Sequence, residues 1–83
     1  MIRIRGLPIS DEEAEELAYR LRARGDEPSL VVSDRLGRAL TVGSGVIAMD
    51  RSEARAVLTA IDEWTPDRLR EVRRALLVYL EAA

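Results

Sequence analysis

The sequence predicts a helix-dominated α+β domain, a tandem βαα-βαα repeat with a small two-stranded antiparallel ribbon and about four helices. Three observations carry this expectation. The segment Leu7–Leu21 lies over Ile47–Ile61 at a constant offset of 40 residues, matching Ser10 with Asp50, Glu13 with Glu53, Ala14 with Ala54 and Leu17 with Val57. After each of those two polar residues, apolar side chains recur at i, i+3, i+4 and i+7, the spacing of one helical face. Short extended apolar runs precede both, and runs of that length need a partner strand. At 83 residues the chain has room for one modest core, so residues 1–83 are read as a single domain. Its halves are about 1–40 and 46–83, joined by a linker at 41–45.

In chain order, Ile2–Leu7 is the first extended run. It is expected to pair with Val46–Met49, Ile2 and Ile4 facing the helices and Arg3 and Arg5 facing away. Ser10 is a helix N-cap and Glu13, three residues on, completes a capping box, with Ile9 at the staple position. The helix buries Ala14, Leu17, Ala18 and Leu21. It carries Asp11, Glu12 and Glu13 in its first turn and Arg20, Arg22 and Arg24 before a terminating Gly25, the favourable sign at each end. Asp26-Glu27-Pro28 starts a second helix, because proline is favoured at the first helical position. From Pro28 to Leu40, residues Val32, Leu36, Ala39 and Leu40 share a face, against which Gly37 counts about 1 kcal/mol. A hairpin of Leu30–Ser33 and Ala39–Val42 competes for the same residues; the helix is preferred because it completes the repeat. Asp50 and Glu53 form the aspartate version of the capping box before Ala54, Val57, Leu58 and Ile61, with Met49 at the staple position. Trp64-Thr65-Pro66-Asp67 starts the last helix, whose stripe is Leu69, Val72, Leu76, Leu77 and Leu80.

The composition excludes more than it assigns. The chain has no His, Lys, Cys, Asn, Gln or Phe, and all 13 basic residues are arginine. Without histidine or lysine the commonest general bases, Schiff-base amines and phosphate-loop lysines are missing, and without cysteine there is neither a disulfide nor a thiolate. A carboxylate pair needs a cleft that so small a domain rarely has, so the protein is read as not an enzyme and as needing no cofactor. The Thr41–Gly45 linker lacks the glycine pattern of a nucleotide site. The acidic stretch Asp11–Glu16 lacks the spacing of a calcium loop and is accounted for by helix capping. No apolar run approaches the ~18 residues of a membrane span, and the N-terminus lacks a signal-peptide core, so a cytoplasmic protein with no membrane partner is expected. A net charge of −2 and a pI near 5.1 disfavour general attraction to nucleic acid.

Arg3 and Arg5 on an N-terminal strand, followed by Leu7-Pro8, an amphipathic helix, Gly25 and a second helix, resemble the architecture of the ribbon-helix-helix DNA-binding proteins over residues 1–40. The resemblance implies a ribbon whose outward side chains enter the major groove, with Arg3 and Arg5 as its nucleic-acid contacts.

Other side chains suit a protein partner. Trp64 is the only tryptophan; in a chain without phenylalanine it is read first as the largest core residue and second as a partner anchor. Tyr19 and Tyr79 fall off their helices' apolar stripes and together could form a contact surface. Arg70, Arg73 and Arg74, interleaved with Asp67 and Glu71, read as a solvated face, or as a docking site for a nucleic-acid backbone or an acidic protein surface. Leu30, Val31, Leu77 and Tyr79 are the apolar side chains expected to remain uncovered, making a homodimer plausible. The function expected is that of a small non-enzymatic protein-interaction or regulatory accessory module presenting a helix face. The alternative is a nucleic-acid-binding transcriptional regulator using Arg3 and Arg5.

Overall fold

The computed structural model describes residues 1–64 and 69–82. Its elements run β1 (Ile2–Ile4), β2 (Leu7–Ile9), α1 (Asp11–Arg24), α2 (Glu27–Val42), β3 (Gly45–Ile47), α3 (Arg51–Trp64) and α4 (Arg70–Glu81). The α+β, helix-dominated architecture is as expected. The predicted start of α4 at Thr65-Pro66-Asp67 lies outside the described residues.

The sheet differs from the expected two-stranded antiparallel ribbon. It has three strands in the order β2-β1-β3, with β1 antiparallel to β2 and parallel to β3. The run Ile2–Leu7 is not one strand, because Arg5 (φ 52°) and Gly6 (φ 81°) both adopt the left-handed conformation and fold Leu7–Ile9 back onto β1. Two left-handed residues in a two-residue loop match the twist of the flanking strands. Arg-Gly is a weaker signal for that turn than Asn-Gly, which hid it in the sequence. The helices α1 and α2 then return the chain to the starting edge of β1, so β3 must run parallel to it.

The tandem repeat is not borne out. The central strand, β1, has no counterpart in the second half, where a single strand precedes α3. What survives of the 40-residue match is the order strand, helix, helix from β2 and again from β3, the buried pairs Ala14/Ala54, Leu17/Val57 and Leu21/Ile61, and the cap chemistry. Ser10 Oγ accepts from Glu13 N at 3.0 Å while Glu13 Oε1 accepts from Ser10 N at 2.8 Å. In the second half Asp50 Oδ1 accepts from Glu53 N and Glu53 Oε1 from Asp50 N, both at 2.8 Å.

The segment after Pro28 coils rather than zigzags. Its buried face is Ser29, Val32, Ser33, Leu36 and Ala39, so small residues stand at both i and i+4 positions facing α1. Ser33 Oγ donates to Ala18 O at 2.8 Å, tying α2 to α1 without a buried unpaired hydroxyl. The expected linker at 41–45 is shorter than predicted: Thr41 and Val42 belong to α2 and Gly45 to β3. Gly43, at φ 93°, ends the helix by donating to Ala39 O at 2.7 Å.

The core lies between the inner face of the sheet and the helices. Ile2, Ile4, Ile9 and Ile47 come from the strands; Leu17, Leu21, Val32, Leu36, Val57, Ile61, Val72 and Leu76 come from the four helices. Since β1 alternates buried, exposed, buried, Arg3 points away from this core, in register with Pro8 on one side and Val46 on the other.

Two measurable consequences follow from the caps. Glu53 is buried and its Oε1 also accepts from Arg35 Nη1 at 2.8 Å, whereas Glu13 serves only its own cap. Glu53→Ala should therefore cost about 1.5–3 kcal/mol and Glu13→Ala about 0.5–1 kcal/mol in urea titrations; equal losses would contradict the role given to Arg35. Asp26 caps α2, and the Ser29 hydroxyl, the Ser29 N–H and the Arg24 charge hold its carboxyl below the ordinary 3.8. A depressed folded-state pKa means that this stabilisation is full above pH 3.8 and is lost as pH falls through the lower, folded value. The unfolding midpoint of Asp26→Asn should fall less steeply than wild type across that acid range, and parallel curves would refute the assignment.

Candidate functional site

The turn between β1 and β2 places Arg5 against the last helix. Its guanidinium carbon sits 4.1 Å from the Tyr79 ring centroid, and that of Arg51 sits 5.9 Å from the same ring. Arg51 is committed: its Nη1 donates to Tyr79 O at 3.1 Å and Ala82 O at 3.0 Å, and its Nη2 to Leu80 O, capping carbonyls that the end of α4 leaves open. Among the described residues neither Arg5 nor Arg74 makes an ion pair. Both line a shallow depression of about 600 Å³ with Glu71, Ala75, Val78 and Tyr79. Val78 is 63% exposed, an apolar side chain standing at the rim of a cationic surface.

This depression brings together Arg5, expected from the sequence as a nucleic-acid contact, with Arg74 and Tyr79, expected as partner contacts. Arg3 is elsewhere, exposed on the outer sheet face with Nη1 donating to Gly6 O at 3.3 Å. The two arginines do not share a face as expected, because Arg5 lies in the turn and not on the strand. Tyr19 is 70% exposed and borders Ala60 and Glu63 of α3, so it forms no common surface with Tyr79. Arg70 is exposed at the start of α4. Arg73 turns inward along the helix pair, its Nε 2.5 Å from Asp62 Oδ1, which raises its pKa above the ordinary value.

Trp64 is half-buried at the end of α3 and outside the main core, correcting the expectation that it would be the largest core side chain. The Arg20 guanidinium carbon lies 5.3 Å from its ring. Arg20 Nε is also 2.7 Å from Glu16 Oε2, an ion pair whose angle falls outside hydrogen-bond geometry.

The other terminal arginines of α1 are engaged as well. Arg22 pairs with Asp34 at 3.7 Å, and Arg24 reaches Asp26 at 3.6 Å and Glu63 at 2.7 Å. The sequence does not single out Arg51 or Val78, and marks Glu71 only as a charge interleaved with the arginines of α4. Arg51 stands at the start of α3, where helix patterning gives no hint that it caps a different helix. No described helix is long and apolar enough to cross a membrane. No family model matches the chain, and no curated protein or solved structure is significantly similar to it.

Arg5 occupies a conformation that Asn takes more readily. Arg5→Asn should leave stability within about 1 kcal/mol of wild type, the easier turn offsetting the lost contact with Tyr79. Gly6→Ala has open space around its added methyl group, yet should cost about 1–2 kcal/mol from the backbone alone. Chemical denaturation of both variants checks the pair; a neutral Gly6→Ala would remove the turn assignment.

Proposed function

We propose that this chain is a non-enzymatic protein-interaction or regulatory accessory module. It docks, on the face formed by α4 and the β1–β2 turn, a partner segment carrying both acidic and apolar side chains. The observation behind this is Arg5, a non-glycine residue held at φ 52° and laid over Tyr79 with no ion pair among the described residues. An unfavourable backbone conformation that presents a charged side chain beside another unpaired arginine, Arg74, is better suited to binding than to folding. The apolar floor at Ala75, Val78 and Tyr79 supplies the desolvated centre that a docking site needs. The regulatory consequence is whatever the docked partner does.

The nucleic-acid alternative has less behind it. Arg3 and Arg5 diverge, and β1 is paired on both edges within the chain, leaving it no free side for a second ribbon strand.

Affinity capture from the native cell with three baits tests the proposal: wild type, Arg5→Glu/Arg74→Glu, and Arg38→Glu/Arg55→Glu as a control of equal charge change at exposed positions. A protein held by wild type and the control but lost from the Arg5/Arg74 variant, and bound through an acidic segment, is the expected result. Loss from both double variants would reduce the effect to net charge. Salt-sensitive retention of a DNA duplex abolished by Arg3→Ala/Arg5→Ala would favour the alternative.

A further inference from the structure

The two edges of the sheet are treated differently. On β2 the two-residue turn makes Ile4 and Leu7 the closing pair, so Pro8, opposite Arg3, is a non-bonded position whose nitrogen faces the open edge. Proline there carries no N–H and blocks addition of another strand. The β3 edge has no such guard. Gly45 N donates to Met1 O at 3.2 Å, so Gly45 and Ile47 direct their backbone groups to β1 and Val46 directs its N–H and C=O outward. Val46 is 73% exposed, Val42 77% and Met1 67%, the three most exposed large apolar side chains beside Tyr19 and Val78. They border a stretch, residues 39–49, that holds no charged side chain in a chain that is 34% charged. Charged groups reach this edge only at its two ends, where the N-terminal ammonium donates to Gly43 O and Arg35 to Ala48 O; an edge that is uncharged and β-branched between them is a pairing site unless something covers it.

We infer that the β3 edge is a self-association site, where two copies of this chain pair their β3 strands antiparallel about a two-fold axis at Val46. The edge is self-complementary: the outward N–H and C=O of one Val46 meet the C=O and N–H of the other, a closed two-bond pair that needs no further chemistry. Since its cationic groups stand at the ends, the centre of the patch at Val46 carries no charge to repel a second copy or to anchor a different protein. Gly45 would stand opposite Ile47 of the second copy, so the inner-face side chain meets no bulk across the join. The product is a continuous sheet of six strands ending at Pro8 on both sides, which stops further growth. This site is distinct from the α4 face, since none of its residues borders that depression.

Three-residue edges bury little area, so the dimer should be weak, with a dissociation constant of roughly 10 μM or above. Sedimentation velocity from about 10 μM to about 2 mM should show a monomer–dimer equilibrium that Val46→Lys abolishes while leaving the circular dichroism and melting curve unchanged. The absence of cysteine makes a second test clean. A hydrogen-bonded cross-strand pair has Cα atoms about 5.5 Å apart, inside the disulfide range. Val46→Cys should thus oxidise to a covalent dimer at least tenfold faster than Ser44→Cys, which the two-fold places far from its mate. Equal oxidation rates, self-association untouched by Val46→Lys, or a monomer throughout the concentration range would each overturn the inference.

Discussion

Ile2 and Ile4 have no exposed surface, and everything else is arranged around that fact. Strands of three residues offer at most two inward side chains each, so the sheet has very little apolar area of its own and is stable only while helices cover its inner face. The central strand is consequently paired on both sides and roofed by helices, the most protected position in the molecule. The same geometry leaves the outer face bare: its register row, Pro8, Arg3 and Val46, is exposed across all three strands.

With so thin a sheet, much of the locking between elements falls to arginine. Arg35 of α2 donates to Ala48 O and Glu53 beyond β3; Arg51 of α3 caps α4; Arg24 of α1 reaches Glu63 of α3; and Arg73 of α4 reaches Asp62 of α3. A planar guanidinium with five donors can bridge two elements at once, which a lysine ammonium does less well. Most of these pairs are partly exposed and individually contribute little, so they specify how helices sit rather than hold them together. Against that background Arg5 and Arg74 join no such bridge among the described residues, as Arg38 and Arg55 also do not, and what sets the first two apart is the apolar depression that they share.

Both binding readings arise from places where local rules are broken. Arg5 takes a backbone conformation suited to Asn or Gly, and Val46 leaves an apolar side chain on an open edge. Arg5 closes the β1–β2 turn and covers Tyr79, yet its charge is left without an ion pair among the described residues; Val46 adds nothing to the packing of the single chain. In the two proposals an acidic surface covers the first and an identical one the second.

The helices and their limits were legible along the chain because their causes are local. Ser10 with Glu13, Asp50 with Glu53, and Gly25 each act within one turn and are read along the chain, whereas the Ser29 partner of Asp26 and the end of α2 at Gly43 are not; the apolar spacing of α1, α2 and α3 misses Ser29, Ser33, Ala56 and Ala60 because small residues carry little hydrophobic signal. Part of the candidate site was legible too, since Tyr79 and Arg74 fall off the apolar stripe of α4 by spacing alone. Strand pairing, the place of Trp64 and the meeting of Arg5 with α4 were decided only in three dimensions. A one-residue change of role at Arg5-Gly6 turns one strand into two, and whether β3 lies parallel or antiparallel to β1 depends on where two helices bring the chain back. The β1–β3 pairs lie 43 positions apart and Arg5 lies 74 from Tyr79, and no periodicity in a linear chain encodes distances of that kind.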